Sequence, residues 1–478
     1  MNTIQRVTKN VSVLFISQMS SYVLGFFTLA YTARYLGVTG FGTISFALAL
    51  TGIFAVTMDL GLSTLAVREV ARDKSITKDY VANITALKIL LSILTFGIIY
   101  FILQLFGYNP QTVQVVYFIA IYMIFTTFPL IFYAIFQANE KMEYQSLGAI
   151  LSSALLLGGI LIAIHLNFNI IQFSFIYTLV GAIVFVYVIL TFSIKFSRPK
   201  IKFNTKQWKD LILEAWPFAI TGISINLYLW TDTIILSLIK GPEAVGLYNA
   251  SYRLILVLLF IPFVFNNAVY PLMSQYYISS KKSLKFTFEK LFKIMILIAV
   301  PIGVGTVLIA NKIILLVYGD QFLGAVIALQ ILIWSCVLIF ARSPFERLLE
   351  STNRQLLITK IFIIGVIFNI ILNLIFIPKY SYIGAGIITV LTDALVLCLL
   401  IFITRNFNIL VSNEIRINIL KIIIASLIMG VILKYLLNFN VFVLITIGTI
   451  IYCVLLLLLR IVNDEEISMI KTIFRRGN

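Results

Sequence analysis

The sequence predicts an all-α integral membrane protein, a bundle of about fourteen transmembrane helices, and three observations carry that expectation. Of the 478 residues, 61% are hydrophobic and only 12% charged, too little charge for the water-facing surface of a soluble domain of this length. Apolar runs of about twenty residues, such as that through Leu90 to Leu105, recur along the whole chain and are long enough to cross a bilayer. No polar stretch longer than about twenty residues interrupts them, so an appended soluble catalytic module is not expected.

Hydropathy predicts spans over 11–35, 42–67, 80–106, 113–136, 145–166, 170–194, 212–239, 246–273, 286–310, 322–346, 356–377, 382–404, 417–436 and 440–461. The first is too long and uniform for a cleaved signal peptide and lacks a small-residue cleavage site, so it reads as a retained helix.

Basic residues set the orientation. About 29 of the 36 lysines and arginines fall at the N-terminus, in every second connection, or in the C-terminal tail, among them Arg68, Arg72, Lys74 and Lys78 after the second span. The opposite connections hold only Lys240, Lys312, Lys379 and Lys434, while Arg34, Lys88 and Arg253 lie within spans. This bias predicts a multi-pass protein of the cytoplasmic membrane with both termini in the cytoplasm. It also accounts for the net charge of +17 without nucleic acid, since the charge is spread over loops facing anionic membrane lipid and no nucleic-acid-binding fold is recognisable. Cys336, Cys398 and Cys453 all sit in spans, which suggests neither a disulfide nor a metal site, and the single histidine, His165, reads as interfacial.

An internal repeat is expected next. Tyr35-Leu-Gly37-Val-Thr-Gly-Phe-Gly42, between spans one and two, returns as Ile239-Lys-Gly241-Pro-Glu-Ala-Val-Gly246 between spans seven and eight. Phe136-Gln-Ala-Asn139, after span four, resembles Glu350-Ser-Thr-Asn353 after span ten. Six spans separate each element from its copy, so the copies share one orientation, the arrangement of parallel repeats with a substrate path between lobes. The expected organisation is a six-helix lobe over 1–195, a basic cytoplasmic linker over 196–211, a second six-helix lobe over 212–405, and two additional helices with a basic tail over 406–478.

These residues, together with Asp59-Leu-Gly-Leu62, Arg68-Glu69, Thr231-Asp-Thr-Ile-Ile-Leu236, Gly241 to Tyr248 and Ser251-Tyr-Arg-Leu254, resemble the polysaccharide-unit flippases. That family, of O-antigen and teichuronic-acid type, lies within the multidrug, oligosaccharidyl-lipid and polysaccharide exporter superfamily. The resemblance covers essentially the whole chain and rests on an ordered set of motifs, none diagnostic alone. It implies translocation of a polyprenyl-phosphate- or pyrophosphate-linked oligosaccharide across the cytoplasmic membrane by alternating access, with glycan-assembly proteins as neighbours and a monomer as the working unit. It implies neither an enzyme nor a cofactor.

Charges inside the membrane are costly, by roughly 2.5–3.5 kcal/mol each on insertion scales, and so face a cavity or a partner. Asp232 and Arg253 lie symmetrically about the turn near Pro242, and Asp59 and Lys88 about the loop between spans two and three, so each pair can meet. Two readings stand side by side: static ion pairs or gating contacts, or a cavity in which Arg34, Lys88 and Arg253 attract the substrate's phosphates. Asp393, mid-span with no basic residue at its level, is expected to hold a proton or sodium together with Asn369, Asn373 and Thr389, or else to be hydrogen-bonded within the bundle. Prolines 129, 217, 262, 271, 301 and 344 mark kinks. Two other classes stay open: a multidrug cation antiporter of the same superfamily, which would want fewer spans and a more acidic cavity, and a polytopic glycan ligase or polymerase. The outer connections are too short to carry the catalytic groups of the latter.

Overall fold

Fifteen α-helices hold almost every described residue, and no strand occurs among them. The structure, a computed structural model, describes residues 3–196, 201, 203–405 and 412–461, with side chains from residue 13 onward and excepting 221. The C-terminal tail over 462–478 and linker residues 197–200 and 202 lie outside the described residues, as do 406–411.

Contacts divide the chain into two compact units, Met1–Asn249 and Ala250–Asn478. The first contains α1 (Thr3–Asp59), α2 (Leu62–Arg72), α3 (Thr77–Leu105), α4 (Pro110–Thr127), α5 (Leu130–Ala138), α6 (Met142–His165), α7 (Ile170–Lys195), α8 (Thr205–Lys240) and the first half of α9 (Pro242–Leu258). The second holds the rest of α9, then α10 (Phe260–Ser279), α11 (Lys281–Val317), α12 (Ala325–Ser351), α13 (Gln355–Arg405), α14 (Asn413–Tyr435) and α15 (Val441–Leu458).

Among the described residues, twelve helical stretches are long and apolar enough to cross a membrane, two fewer than the fourteen expected spans. The two longest, of 60 and 51 residues, each cover two expected spans. At about 1.5 Å per residue, a straight 60-residue helix would reach about 90 Å, three times the hydrocarbon thickness of a bilayer. Within the first, α1 is broken by the non-helical Gly37 (φ 67°, ψ −176°) and gives way to α2 across Leu60 and Gly61, and the second, α13, is broken by Ser381 (φ 52°, ψ −139°).

On several helices polar and small residues turn inward while large apolar ones face out. On α3, Lys88, Ser92, Thr95, Ile99 and Leu103 recur at helical spacing and are buried, whereas Leu90, Ile93, Leu94, Tyr100, Phe101 and Leu105 are exposed. On α14, Asn418, Ala425, Ser426 and Gly430 turn inward while Leu420, Leu427 and Val431 turn outward. Lipid solvates the outer face, so polar and small groups gain nothing by facing out and instead satisfy one another within. Helix starts are fixed locally by asparagine: Asn109 and Asn440 accept from the first-turn amides of α4 and α15, and Asn169 forms a capping box with Gln172 on α7.

Within the first unit, α9 begins against the part of α1 that follows Gly37. A Cβ on Gly42 would lie 1.8 Å from the Pro242 carbonyl oxygen, and a Cβ on Gly246 only 2.1 Å from the Val38 carbonyl oxygen. The two backbones therefore touch, and only glycine fits either position. Gly241 takes φ 79° and ψ −173°, almost the conformation of Gly37. The other pair of similar segments matches one residue away from the sequence register. Glu140 (φ 57°) corresponds to Asn353 (φ 59°), and the bonds Glu140 N to Gln137 O and Lys141 N to Phe136 O recur as Asn353 N to Glu350 O and Arg354 N to Leu349 O. Matching Asn139 with Asn353 by residue type misplaces the register, because asparagine suits both the helix end and the left-handed residue after it.

Candidate functional site

In the first unit, α1 ends at Asp59 and α2 starts at Leu62 across Leu60 and Gly61, both with positive φ. The junction is held against α8: a Cβ on Gly61 would lie 2.6 Å from Phe218 Cβ and 2.9 Å from the Ala215 carbonyl oxygen. This places the Asp59 carboxylate at the first turn of α2, where it accepts from Ser63 Oγ at 2.5 Å and Ser63 N at 3.4 Å. An anion there also meets the positive end of the helix dipole.

Lys88, about 16 Å along α3 from its start, reaches this carboxylate. Its Nζ lies 2.5 Å from Asp59 Oδ1, and it donates to Ser63 Oγ at 3.1 Å and to the Thr127 carbonyl at 3.0 Å. Thr127 is the last residue of α4, so its carbonyl is one of those that a helix end leaves without an intrahelical partner. Lys88 thus spends its three donors on three internal acceptors, and its side chain is 1% exposed against 15% for Asp59. The expected pairing of Asp59 with Lys88 is present. Ser63 and Thr127 complete it; a proline at 129 signals the helix break that frees Thr127, but nothing local signals that a lysine 39 residues earlier would cap it.

Asp232, buried on α8, accepts from Tyr248 Oη at 2.7 Å, and one position along, Asn249 Nδ2 donates to Thr233 Oγ1 at 3.1 Å. These bonds bind α8 to the first half of α9 inside the first unit. Arg34 is exposed on α1, three residues before the Gly37 break.

In the second unit, Arg253 is half-buried on α9, next to a well-anchored segment in which Ser251 Oγ donates to the Ala325 carbonyl at 2.7 Å and Tyr318 Oη to the Ala250 carbonyl at 2.8 Å. Asp393, 1% exposed on α13, has a basic neighbour after all. Arg342 Nη2 lies 3.7 Å from its Oδ1, and Ser335 Oγ donates to its Oδ2. Arg342, 7% exposed, also lies 3.4 Å from Glu346 Oε1 and stacks its guanidinium 4.8 Å above the Phe362 ring. Arg342 falls near the end of the expected span 322–346, but α12 continues to Ser351 and Arg342 is buried on it.

Asn369, Asn373 and Thr389 are all buried on α13, as expected. Asn373 Nδ2 donates to Asn369 Oδ1 at 2.9 Å and Asn369 Nδ2 to Thr392 Oγ1 at 3.5 Å, while Thr389 Oγ1 donates to the Ala385 carbonyl. The two asparagines therefore bridge the two halves of α13 through Thr392, which the sequence reading passes over. No grouping of three or more histidine, cysteine or carboxylate side chains that could hold a metal occurs among the described residues.

The comparisons with known proteins fit this architecture. The family described as polysaccharide biosynthesis protein matches residues 7–277, and the MatE family matches residues 217–375. An uncharacterized membrane protein of Methanocaldococcus jannaschii is 29% identical over 199 residues, 41% of this chain and 39% of that protein, so the matched region spans well under half of the relative. A probable low-salt glycan biosynthesis flippase of Haloferax volcanii is 23% identical over 387 residues, 80% of each chain. Among solved structures, a lipid II flippase, MurJ, in its inward closed conformation superposes with a TM-score of 0.77 at 18% identity, over 92% of this chain and 97% of that one, which shows a shared fold. With more than half its length matched by one family, the chain belongs to the polysaccharide biosynthesis protein family.

Proposed function

We propose that this protein carries a lipid-linked oligosaccharide from the cytoplasmic to the outer leaflet of the cell membrane, with both termini in the cytoplasm and the chain acting as a monomer beside the enzymes of glycan assembly. The observation that carries the proposal is the collinear match, over 80% of both chains, with a probable glycan biosynthesis flippase. The chain's physics agrees with it. Its exterior is apolar and its largely apolar interior encloses polar side chains, with cations placed at membrane depth where a polyprenyl phosphate or pyrophosphate must pass.

Arg253 is the candidate phosphate contact, since a guanidinium fork can hold two phosphate oxygens at once and this side chain is half-buried at membrane depth. Arg34, exposed on α1, is a second candidate. Lys88 is better suited to joining helices, because its donors are already engaged. Asp393 with Arg342, and the Asn369, Asn373 and Thr389 group nearby on α13, is the place to look for coupling to sodium or protons.

The test is transport of a fluorescent lipid-linked oligosaccharide by the purified protein in proteoliposomes. Arg253→Ala is expected to abolish transport with normal membrane insertion, and Arg253→Lys to restore only part of it. Full transport by Arg253→Ala would remove the phosphate contact. The MatE match over 217–375 favours a second reading, export of cationic drugs. Drug tolerance conferred on a sensitive host, with no movement of lipid-linked sugar, would select it.

A further inference from the structure

We propose that a small cavity in the first unit, on the side opposite the basic connections, binds one or two neutral pyranose rings. It would be a saccharide site that meets the glycan at the outer leaflet, and it rests on the flippase reading above. The cavity has a volume of about 380 Å³, at the small end of the range for ligand sites. Three separate pieces of chain build it: the α3–α4 connection from Phe106 to Asn109, the part of α1 around Thr43 and Phe46, and the end of α8 with the Gly241–Pro242 turn.

Its chemistry selects the ligand class. No charged residue lines it, so a phosphate or lipid headgroup would find no counter-charge. Aromatic surface and neutral polar groups are present instead. Tyr108 stacks on Phe46 with centroids 4.8 Å apart and planes at 24°, which fixes its ring, while Phe106 stands exposed at the rim. The polar groups keep hydrogen-bonding capacity in reserve. Tyr108 Oη and Ser237 Oγ are 3.4 Å apart, a long contact that a sugar hydroxyl can replace or bridge. Asn109 uses its side-chain oxygen to cap α4, accepting from Thr112 N at 2.7 Å, and its amide NH2 makes no hydrogen bond among the described residues; neither does the Thr112 hydroxyl. A pyranose offers what this lining lacks: hydroxyls that both donate and accept, around a ring whose C–H face suits an aromatic surface.

The location gives the site a consequence. Thr43 lines it and adjoins Gly42, and Pro242 lines it and supplies the carbonyl that Gly42 touches. A saccharide lodged there contacts both sides of the α1–α9 crossing and holds it closed, so free sugar on the outer side should slow transport.

The experiment is saturation-transfer NMR on the full-length protein in phosphatidylglycerol nanodiscs, with the methyl pyranosides of glucose, galactose and N-acetylglucosamine as probes. At least one is expected to receive saturation from aromatic protons. Affinity should fall at least tenfold in Phe106→Ala, an exposed position, and in Asn109→Asp, which keeps the cap but loses the donor. No transfer to any of the three, or unchanged affinity in both variants, overturns the site. Transport assays on the same preparation separate the two claims. Movement of lipid-linked oligosaccharide without pyranoside binding sinks the site alone, whereas pyranoside binding with the expected variant losses and no such movement supports the site and sinks the flippase reading.

Discussion

Replacing Lys88 by Met keeps an unbranched side chain one atom shorter and removes its charge, leaving Asp59 without its buried cation. Breaking a buried ion pair by deleting one partner costs about 3–5 kcal/mol, and the lower end applies because the Asp59 side chain retains 15% exposure. Removing the Lys88 ammonium also leaves the Thr127 carbonyl without that donor, a loss of about 1–3 kcal/mol, again taken at the lower end because α5 follows at once. The single variant should therefore lose about 4 kcal/mol of unfolding free energy, measured by denaturant titration in mixed micelles. The double variant Asp59→Asn with Lys88→Met removes both charges, and replacing a whole buried pair by neutral groups is close to neutral in other proteins. It should recover about 3 kcal/mol, leaving only the cost at Thr127. The double variant also separates the two roles considered for Lys88. A helix-joining cation can be dispensed with once Asp59 is neutral, so transport should return, whereas a phosphate ligand cannot. A double variant as unstable as the single one would refute the ion-pair reasoning, and a stable double variant that fails to transport would return Lys88 to the substrate path.

Other substitutions test the remaining contacts. Gly42→Ala and Gly246→Ala each drive a Cβ into a backbone carbonyl and should lower the unfolding free energy by about 1–3 kcal/mol or more, with the two effects far from additive because they strain one crossing. Gly241→Ala meets open space and suffers only its backbone conformation, so it should lose about 1–3 kcal/mol, without the further loss at the crossing that a cycle with Gly42→Ala would reveal. Arg342→Met takes the guanidinium away from the Asp393 carboxylate and should destabilise by about 3–5 kcal/mol, with Arg342→Lys rescuing poorly since an ammonium cannot reach Asp393 and cover the Phe362 ring as a guanidinium does; denaturant titration reads both. Ser335→Ala removes a hydrogen bond to that carboxylate and should cost about 1.5–3 kcal/mol in the same assay.

The membrane class and the helical character are legible because bilayer thickness and lipid solvation act on every span alike, and composition alone reports them. The Asp59–Lys88 pair is legible for a narrower reason: both residues flank one short loop, so helix rise fixes their relative depth. Arg342 and Asp393 escape the same reasoning, being 51 residues apart with the whole first half of α13 and its break at Ser381 between them, and only packing brings them together. The same limit hides the Thr127 carbonyl, which carries no residue-type signal at all. The likeness of the segments that open spans two and eight is legible, yet the contact between them is not, because sequence similarity says that two segments resemble one another and not that they touch.

That contact accounts for glycine at both matched positions. Shifting Val38 and Gly42 by 204 residues gives Pro242 and Gly246, and the crossing joins Gly42 to Pro242 and Gly246 to Val38, so it maps onto itself when the copies are exchanged. A self-complementary contact of this type places the same restriction on both partners, as in a two-fold dimer interface. Val38 and Pro242 contribute only a carbonyl and can diverge, and proline at the first position of a helix needs no amide hydrogen. Gly42 and Gly246 contribute the absence of a side chain, for which there is no substitute. The two similar segments thus meet each other at glycines they share, and a larger residue introduced in either should be felt as strain by both.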